Sequence, residues 1–177
     1  MLEITNTEEL ERAEASITTT EIALLTEQPV DGNFDLSHLE AIHQRLFGTI
    51  YDWAGKIRTI ELDRDTTKFA NTEFIPDAAK KIFDELAKEK YLDELSDEDY
   101  ITRMAHYYSE VNILHPFREG NGRTQRAFFS LLASRTGRFI AWDKMDPAEN
   151  IDASIAAYNG DEMYLAKMLT NLVKSNN

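Results

Sequence analysis

A twelve-residue run at positions 115–126, HPFREGNGRTQR, constrains the fold more than any other feature of the sequence. Pro116 disfavours helical geometry at the residue before it, so the helix that leads into the run is predicted to end just before His115. Gly120 and Gly122 allow positive φ angles and a close approach of the backbone to a ligand. A new helix is predicted to begin at about Gly122. The run therefore joins two helices through a short loop that is dense in polar groups.

Helix-capping residues and four widely spaced prolines divide the rest of the chain into segments, and apolar residues recur at helical spacing within these segments. The first predicted helix covers residues around 8–25. A capping box at 37–40 begins the second, which runs to about residue 50. Further helices are predicted near residues 76–86, 96–114, 122–136, 150–158 and 161–173. Gly137 is the predicted C-cap of the helix that begins at Gly122. With no repeat and no linker, a single domain over residues 1–177 is expected.

Residues 57–71 follow a different pattern. Ile60 and Leu62 alternate with polar neighbours, which is the period of a strand. Residues 64–66 form a plausible turn, and residues 69–71 provide an antiparallel return strand. Because a two-stranded hairpin is marginal alone, it is expected to lie against the helices with one edge exposed. The predicted fold class is all-α, a compact multi-helix bundle with one short β-hairpin.

The composition excludes several classes of function. The formal net charge of −13 argues against sequence-independent binding to nucleic acid or to anionic membranes. The chain has no cysteine, so disulfides and thiolate metal sites are impossible. No apolar run approaches the roughly 20 residues of a membrane span, and the N-terminus lacks the regions of a signal peptide. We expect a soluble intracellular protein.

Two arginines in the run indicate an anionic ligand. Arg123 and Arg126 are three residues apart and share one helix face. They also lie in the first turns of the predicted helix, where the macrodipole disfavours cations by roughly 0.3–1 kcal/mol. Free backbone N–H groups at the same terminus, together with Gly120 and Gly122, suit a phosphate group.

His115 and Glu119 add reactive groups beside that phosphate site. A carboxylate together with phosphate oxygens is a usual way to hold Mg²⁺, and Glu119 is the candidate ligand. An unperturbed histidine has a pKa near 6.5, which suits His115 to take a proton from a hydroxyl at neutral pH. The set fits phosphoryl or nucleotidyl transfer, in which positioning and charge stabilisation dominate.

Each of these features has a structural explanation when it stands alone. A histidine before proline is more often structural than catalytic, a Gly-Asn-Gly segment is usually only a turn, and both arginines could pair with some of the 32 acidic residues. The four features in one register favour the chemical interpretation. The P-loop pattern is absent, so this is a different kind of phosphate site.

The run resembles the signature of the Fic family, H-P-F-x-[D/E]-G-N-G-R-x-x-R, with every fixed position filled. Other stretches also resemble the family, and these are LxxIHxxLF at 39–47, YxWAGKxR at 51–58, FA at 69–70, ExN at 110–112 and AAYNGD at 156–161. The resemblance covers about residues 34–173 and leaves residues 1–33 as an N-terminal helical extension. It implies a mostly helical domain that transfers AMP from ATP to a Tyr, Ser or Thr hydroxyl of a target protein.

The resemblance also implies a role for each residue of the site. His115 would be the general base and Glu119 would hold Mg²⁺ on the α- and β-phosphates. Asn121 and the amides of Gly120 and Gly122 would bind the α-phosphate of ATP. Arg123 would bind the β-phosphate and Arg126 the γ-phosphate. Phe117 would be buried as the anchor of the loop. Tyr158, Asn159 and Gly160 would contact the nucleoside. The hairpin would be a flap that docks the target by main-chain pairing, through Lys68, Phe69, Ala70 and Asn71.

Regulation is expected to come from another protein. Family members are commonly silenced by a helix carrying [S/T]-x-x-x-E-[G/N], whose glutamate pairs with the second arginine. Thr5 with Glu9 and Thr7 with Glu11 have this spacing, but a leucine and an arginine follow where Gly or Asn is required. We therefore expect a small antitoxin-like inhibitory protein. We also expect the chain to be a trimmed core, since relatives carry a further N-terminal stretch.

Three alternatives remain open in the sequence. The chain is an adenylyltransferase, a related enzyme that transfers another phosphate-containing group or removes AMP, or a catalytically silent module with the same fold. An intact Glu119 and both arginines favour transfer of AMP, and a binding module would not need His115. The resemblance suggests topoisomerases or host small GTPases as targets, and hence a bacterial cytoplasmic toxin or a secreted effector in the host cytosol.

Overall fold

The structure, a computed structural model, describes residues 6–64 and 67–175. Its α-helices are α1 (Thr7–Glu27), α2 (Leu36–Phe47), α3 (Ile75–Lys88), α4 (Asp97–Leu114), α5 (Asn121–Arg135), α6 (Pro147–Tyr158) and α7 (Met163–Leu172). Its strands are β1 (Asp63–Arg64), β2 (Thr67–Lys68), β3 (Arg138–Ile140) and β4 (Val173–Ser175). The prediction of a helical fold with one short hairpin is confirmed. None of the described helices is long and apolar enough to cross a membrane.

The apolar core lies around α4 and α5. Helix α5 packs against α2 and α4, while α7 packs against α4 and α6. Phe128 and Phe129 on α5 are both fully buried, as are Phe47 on α2 and Tyr100 on α4. Burying each such ring stabilises the fold by roughly 1.5–3 kcal/mol. The core therefore fixes the end of α4 and the start of α5, between which the run 115–126 lies.

The two helix ends at this junction are close to their predicted positions. Helix α4 ends at Leu114, and His115 is its C-cap with φ 43 and ψ 59, in the left-handed region. Helix α5 begins at Asn121, one residue before the prediction, with Gly120 as N-cap at φ 80. Arg135 is its last residue, and Gly137 follows the cap at φ 70. Helix α4 therefore ends before the proline as predicted, although His115 is left-handed and not extended, and the C-cap of α5 is Thr136, one residue before the predicted Gly137.

Two predicted helix starts were wrong in detail. Helix α2 is capped by Asp35, whose Oδ1 accepts the N–H of His38 at 2.8 Å, so the predicted capping box at 37–40 lies inside the first turn. Aspartate is among the strongest N-caps, and because it begins the helix two residues earlier, Ser37 is a residue of the first turn and not the cap. Helix α6 begins at Pro147 rather than near residue 150, because Asp146 caps it and proline is favoured in the first turn.

The hairpin is much shorter than predicted. Strands β1 and β2 have two residues each and pair antiparallel. Residues 57–62 are irregular because the Ile60 carbonyl accepts a hydrogen bond from the Arg58 side chain instead of from a strand. Residues 69–71 are not a strand either, and the Ala70 N–H donates to Ile113 at the end of α4. Of the predicted turn at 64–66, the last two residues lie outside the described part of the chain.

A second small sheet was not predicted. Strands β3 and β4 pair antiparallel, with Ile140 opposite Val173 and Arg138 opposite Ser175. Each strand has three residues, which is too short for a visible alternation of polar and apolar positions. This sheet joins the segment after α5 to the segment after α7, and it contains none of the predicted site residues.

Candidate active site

The loop between α4 and α5 is closed by one of its own side chains. Asn121 is buried, and its Oδ1 accepts the Phe117 N–H at 2.9 Å while its Nδ2 donates to the Phe117 carbonyl at 2.7 Å. The Thr124 hydroxyl donates to the Gly120 carbonyl at 3.0 Å. Three of the loop's backbone polar groups are thus satisfied by the loop and the first turn of α5, which gives the loop one definite conformation.

A buried histidine on α2 supports the loop from the core side. His43 donates its Nε2–H to the Glu119 carbonyl at 3.0 Å, and its Nδ1 accepts the Gly55 N–H at 2.8 Å. Its ring stacks on Phe117, with centroids 4.0 Å apart, so Phe117 is the buried anchor that the sequence predicted. Burial lowers the pKa of His43 to about 4. The neutral ring therefore has one tautomer, defined by both hydrogen bonds.

His115 is held in a tautomer that suits a general base. Its Nδ1 lies 3.2 Å from the Asn112 carbonyl, which can only accept, so Nδ1 carries the proton of the neutral ring. Nε2 is then the unprotonated nitrogen that can take a proton. The ring also stacks on Phe69, with centroids 3.7 Å apart and planes at 17°. The structure thus brings the catalytic candidate into contact with a predicted flap residue.

The two glycines of the loop differ in their surroundings. A Cβ on Gly120 would lie 2.3 Å from Cζ of Phe47, and its φ of 80 belongs to the left-handed region. A Cβ on Gly122 would meet only Nη1 of Arg126, at 3.4 Å. Gly120 is therefore required by the packing of the loop on α2. Gly122 leaves the start of α5 open to a ligand, as a phosphate site needs.

Arg123 is held by helix α1. Its Nη2 donates to Glu14 Oε1 at 2.5 Å, and its Nη1 donates to the Thr18 hydroxyl at 3.3 Å. Glu14 is buried, and its other oxygen accepts the Tyr51 hydroxyl in a short hydrogen bond. Burial and Glu14 raise the pKa of Tyr51. The positive charge of Arg123 is therefore already opposed by a carboxylate from the N-terminal extension.

Arg126 lies on the same face of α5 and beside Tyr108. Burial raises the pKa of Tyr108, and the charge and hydrogen bonding of Arg126 oppose that rise. Among the described residues, no acidic side chain forms an ion pair with Arg126. The two arginines thus differ: Arg123 is paired with a carboxylate, and Arg126 has no ion pair among the described residues.

Glu119 fits the part of a metal ligand that relies on phosphate oxygens. Its side chain is 61% exposed, one oxygen accepts the Gly120 N–H at 2.9 Å, and the same oxygen lies 3.7 Å from Arg123. The described residues contain no cluster of three or more His, Asp or Glu side chains that could hold a metal ion by themselves, without a bound nucleotide. A Mg²⁺ ion keeps several waters and is often held by one carboxylate plus substrate phosphates. The donor set suits that arrangement.

Comparison with known families decides the classification. The profile of the Fic/DOC family matches residues 33–133, which is more than half of the chain and includes the loop, α2 and α4. The chain belongs to the Fic/DOC family.

Relatives of known name and structure agree with this Fic assignment. The chain is 38% identical over 169 residues to the protein adenylyltransferase VbhT of Bartonella schoenbuchensis, which covers 96% of this chain and 35% of VbhT. It is 32% identical over 138 residues to the probable protein adenylyltransferase Fic of Escherichia coli, covering 78% of this chain and 69% of that protein. The chain therefore spans about a third of VbhT.

A solved Fic structure superimposes on nearly the whole chain. It is the N-terminal Fic domain of a VirB-translocated Bep effector protein from Bartonella quintana, with bound ADP. The TM-score is 0.91 at 25% identity, and the match covers 98% of this chain and 88% of that one. The helical fold, including the segment before residue 34, is therefore shared with an adenine-nucleotide-binding Fic domain.

The predicted nucleoside and flap residues are only partly brought together. The Lys68 N–H lies 3.4 Å from the Tyr158 hydroxyl, which joins the flap to the end of α6. The Asn159 side chain donates to the Ile155 carbonyl of its own helix at 2.9 Å. Gly160 follows at φ 93. Asn71 is the N-cap of a short 3₁₀ turn at Thr72–Phe74, without a side-chain cap bond.

Sequence reasoning missed three residues that the structure connects to the site. They are Arg58, His43 and Glu14. Arg58 entered only as part of a family-like stretch, and His43 entered also through its helical spacing with apolar residues of the second helix, without a role at the site. The spacing shows that His43 is buried but not what it binds, because its partners are backbone groups distant in sequence. Glu14 and Thr18 are four residues apart on α1 and share one face, and both contact Arg123. That spacing was the available signal for the contact.

Proposed function

We propose that this Fic protein transfers AMP from ATP to a hydroxyl group of a target protein. The observation that supports the proposal is the contact of His115 Nδ1 with the Asn112 carbonyl, which can only accept, so that Nε2 is the basic nitrogen of the neutral ring. A binding module has no need of that arrangement. The names of the adenylyltransferase relatives and the ADP bound to the Bartonella quintana domain support the same activity.

In the proposed reaction, His115 Nε2 takes the proton of the target hydroxyl as its oxygen attacks the α-phosphorus. The bond from the α-phosphorus to the bridging oxygen breaks, and pyrophosphate leaves. We assign the α-phosphate to the N–H groups at the start of α5, from Gly120, Asn121 and Gly122. The Asn121 side chain is engaged with Phe117, so it contributes chiefly by shaping the loop. Arg123 and Arg126 are assigned to the β- and γ-phosphates.

We assign the metal site to Glu119. A bound Mg²⁺ would neutralise charge on the α- and β-phosphates, which favours departure of pyrophosphate. Oε1 of Glu119 accepts the Gly120 N–H, so the ion would be held by Oε2, or by Oε1 after that contact is released. The Gly120 N–H would then be available to the phosphate. Tyr158, Asn159 and Gly160 are assigned to the nucleoside on the family resemblance, and the contact of Tyr158 with Lys68 places the first of them beside the flap.

The experiment that tests the function is incubation with α-labelled ATP and Mg²⁺ in a bacterial lysate and in a eukaryotic lysate. We expect a labelled protein band that disappears with His115→Ala and with Glu119→Ala. His106→Ala is the matched control, because His106 pairs with Glu162 away from the loop and its loss should leave labelling unchanged. Label from γ-labelled ATP, or labelling that persists in His115→Ala, would contradict the proposal.

We further propose that a separate, small inhibitory protein acts on Arg126. The absence of an ion pair on Arg126 among the described residues leaves its charge open to a carboxylate from a partner. Such a partner should suppress labelling by the wild-type chain and co-purify with it. If Arg126→Ala binds the co-purified partner as tightly as wild type does, the contact lies elsewhere.

The target and its location follow from the same labelling experiment. Type II topoisomerases of bacteria and small GTPases of a host are the candidates that the resemblance suggests. The similarity to Bartonella effector domains supports delivery to a host cytosol, and the Escherichia coli relative supports a cytoplasmic role. The lysate that contains the labelled protein decides between an effector and a bacterial toxin.

A further inference from the structure

One buried arginine joins the catalytic loop to the flap. The Arg58 side chain has no exposed surface. Its Nε donates to the His115 carbonyl at 2.8 Å, its Nη1 to the Ile60 carbonyl at 2.8 Å, and its Nη2 to the Ala70 carbonyl at 2.5 Å. Its own N–H donates to Pro116 at 2.8 Å. A single side chain therefore binds the backbone of the general base and the backbone of the flap.

The charge of Arg58 is neutralised mainly by carbonyl dipoles. The only acidic side chain paired with it among the described residues is Glu61, at 3.5 Å, and that side chain is 59% exposed. A buried cation without a close counter-ion is costly, and an apolar replacement often stabilises a protein. Simple stability is therefore a poor explanation for an arginine here. Its five donors in a rigid plane are better suited to fixing several carbonyls relative to one another.

Three other residue pairs reinforce the same junction. The Ala70 N–H donates to the Ile113 carbonyl at 3.0 Å, so both backbone groups of Ala70 are bound to this junction. The Glu61 carboxylate accepts the Thr72 hydroxyl at 2.6 Å and the Thr72 N–H at 3.0 Å, which closes the base of the flap. Phe69, next to Ala70, stacks on the His115 ring.

We propose that Arg58 is a positioning residue that fixes the flap relative to His115, so that a docked hydroxyl lies within reach of Nε2. The proposal rests on the proposed function, because it assigns the flap to target docking. Arg58 donates to neither the phosphate arginines nor Glu119. Its loss should therefore affect the transfer step and target binding, and leave nucleotide binding intact.

Arg138 provides a matched control. It is a largely buried arginine whose side-chain exposure is 13%, and its guanidinium donates to the Leu95 carbonyl, to the Thr136 carbonyl and to Asp97. None of these partners belongs to the loop or the flap. Replacing either arginine by lysine keeps the charge but cannot reproduce bonds to three acceptors in one plane.

The first test needs no target protein. Amide hydrogen exchange of Ala70 reports the bond to Ile113 and hence the attachment of the flap. In Arg58→Lys we expect the Ala70 amide to exchange at least about tenfold faster relative to amides in the middle of α5, and in Arg138→Lys we expect no such local change. Wild-type protection of Ala70 in Arg58→Lys would overturn the proposal.

The second test uses the labelled target. For Arg58→Lys we expect kcat to fall by about 10- to 100-fold and the target KM to rise, while the Kd of a non-hydrolysable ATP analogue changes less than about twofold. A parallel loss of kcat in Arg138→Lys, or an unchanged kcat in Arg58→Lys, would overturn the proposal. If the wild-type chain transfers no AMP while the exchange result holds, the proposed function has failed and the junction stands.

Discussion

The catalytic loop and the flap are both irregular segments, and they are held in opposite ways. The loop is fixed by groups inside the run or directly under it, such as Asn121 on Phe117 and His43 on Glu119. The flap has few ladder bonds of its own and is held mainly by the Arg58 side chain at its start, by the Ile113 carbonyl at the end of α4, and weakly by Tyr158. A loop that contains its own supports can be read from a short run of sequence. A flap that depends on distant side chains cannot.

The largest expected effect breaks the loop at Gly120. In Gly120→Ala, the backbone strain of a non-glycine residue at φ 80 costs about 1–2 kcal/mol of stability, and a clash with the buried Phe47 ring costs about 1–3 kcal/mol more. We expect the free energy of unfolding in urea to fall by about 2–5 kcal/mol in total. Gly122→Ala is the control, because its Cβ has space and alanine favours a helix.

The two glycine variants separate packing from ligand binding. Gly122→Ala should keep or raise the free energy of unfolding, yet weaken ATP-analogue binding because a methyl group would lie at the proposed phosphate site. Equal losses of stability in the two variants would mean that the difference between the glycines does not control the loop.

His43 should make the loop sensitive to acid. Its pKa is about 4 in the folded protein and 6.5 in the unfolded chain, so the unfolded state binds the extra proton. The stability that neutral His43 provides is complete above pH 6.5 and is lost as the pH falls towards 4. The difference of about 2.5 pKa units corresponds to about 3 kcal/mol.

The measurement is the free energy of unfolding at several pH values between 7 and 4, for the wild type and for His43→Gln. Glutamine can donate to the Glu119 carbonyl but does not titrate, so its curve should lack this part of the decline. Superimposable slopes in the two proteins would show that other groups cause the loss in acid.

Particular residues show where sequence reasoning succeeded. Pro116 and the loop glycines act on their own neighbours, so the ends of α4 and α5 were placed within one residue. The predicted capping box at Ser37 was wrong because Asp35, two residues earlier, is also a favoured N-cap residue, and the sequence pattern does not show which of the two begins α2. The strands of the hairpin were overestimated because Arg58 takes the carbonyls that a ladder would use.

The next largest effect comes from the charge of Glu14 beside Arg123, and it concerns the affinity for nucleotide. Glu14 opposes the charge of Arg123, so Glu14→Gln should strengthen binding of an anionic ATP analogue by about 1 kcal/mol, or roughly fivefold. Thr18→Val is the control, because it removes the other acceptor of Arg123 without a change of charge. Titration calorimetry at low ionic strength measures both. Weaker binding in Glu14→Gln would indicate that Glu14 orients Arg123 rather than competing for it.

The contact between flap and loop gives a smaller effect. Phe69→Leu keeps the apolar volume but removes the stack on His115, and an aromatic pair contributes about 0.5–1.5 kcal/mol. We expect kcat of AMP transfer to fall by about 2- to 12-fold, with the Kd of the ATP analogue unchanged. Phe74→Leu, at an exposed ring outside the junction, is the control. Equal rates for both variants and the wild type would remove Phe69 from the positioning of His115.

The smallest effect belongs to Tyr158, and it tests how weakly the outer end of the flap is attached. Its hydroxyl lies 3.4 Å from the Lys68 N–H, which is long for a hydrogen bond and is exposed to water. Tyr158→Phe should therefore change kcat and both KM values by less than about twofold, since such a bond contributes at most about 0.5 kcal/mol. Tyr158→Ala also removes the ring. If the ring contacts the nucleoside, only the alanine variant should raise the KM for ATP; if the hydroxyl anchors the flap, both variants should raise the KM for the target protein.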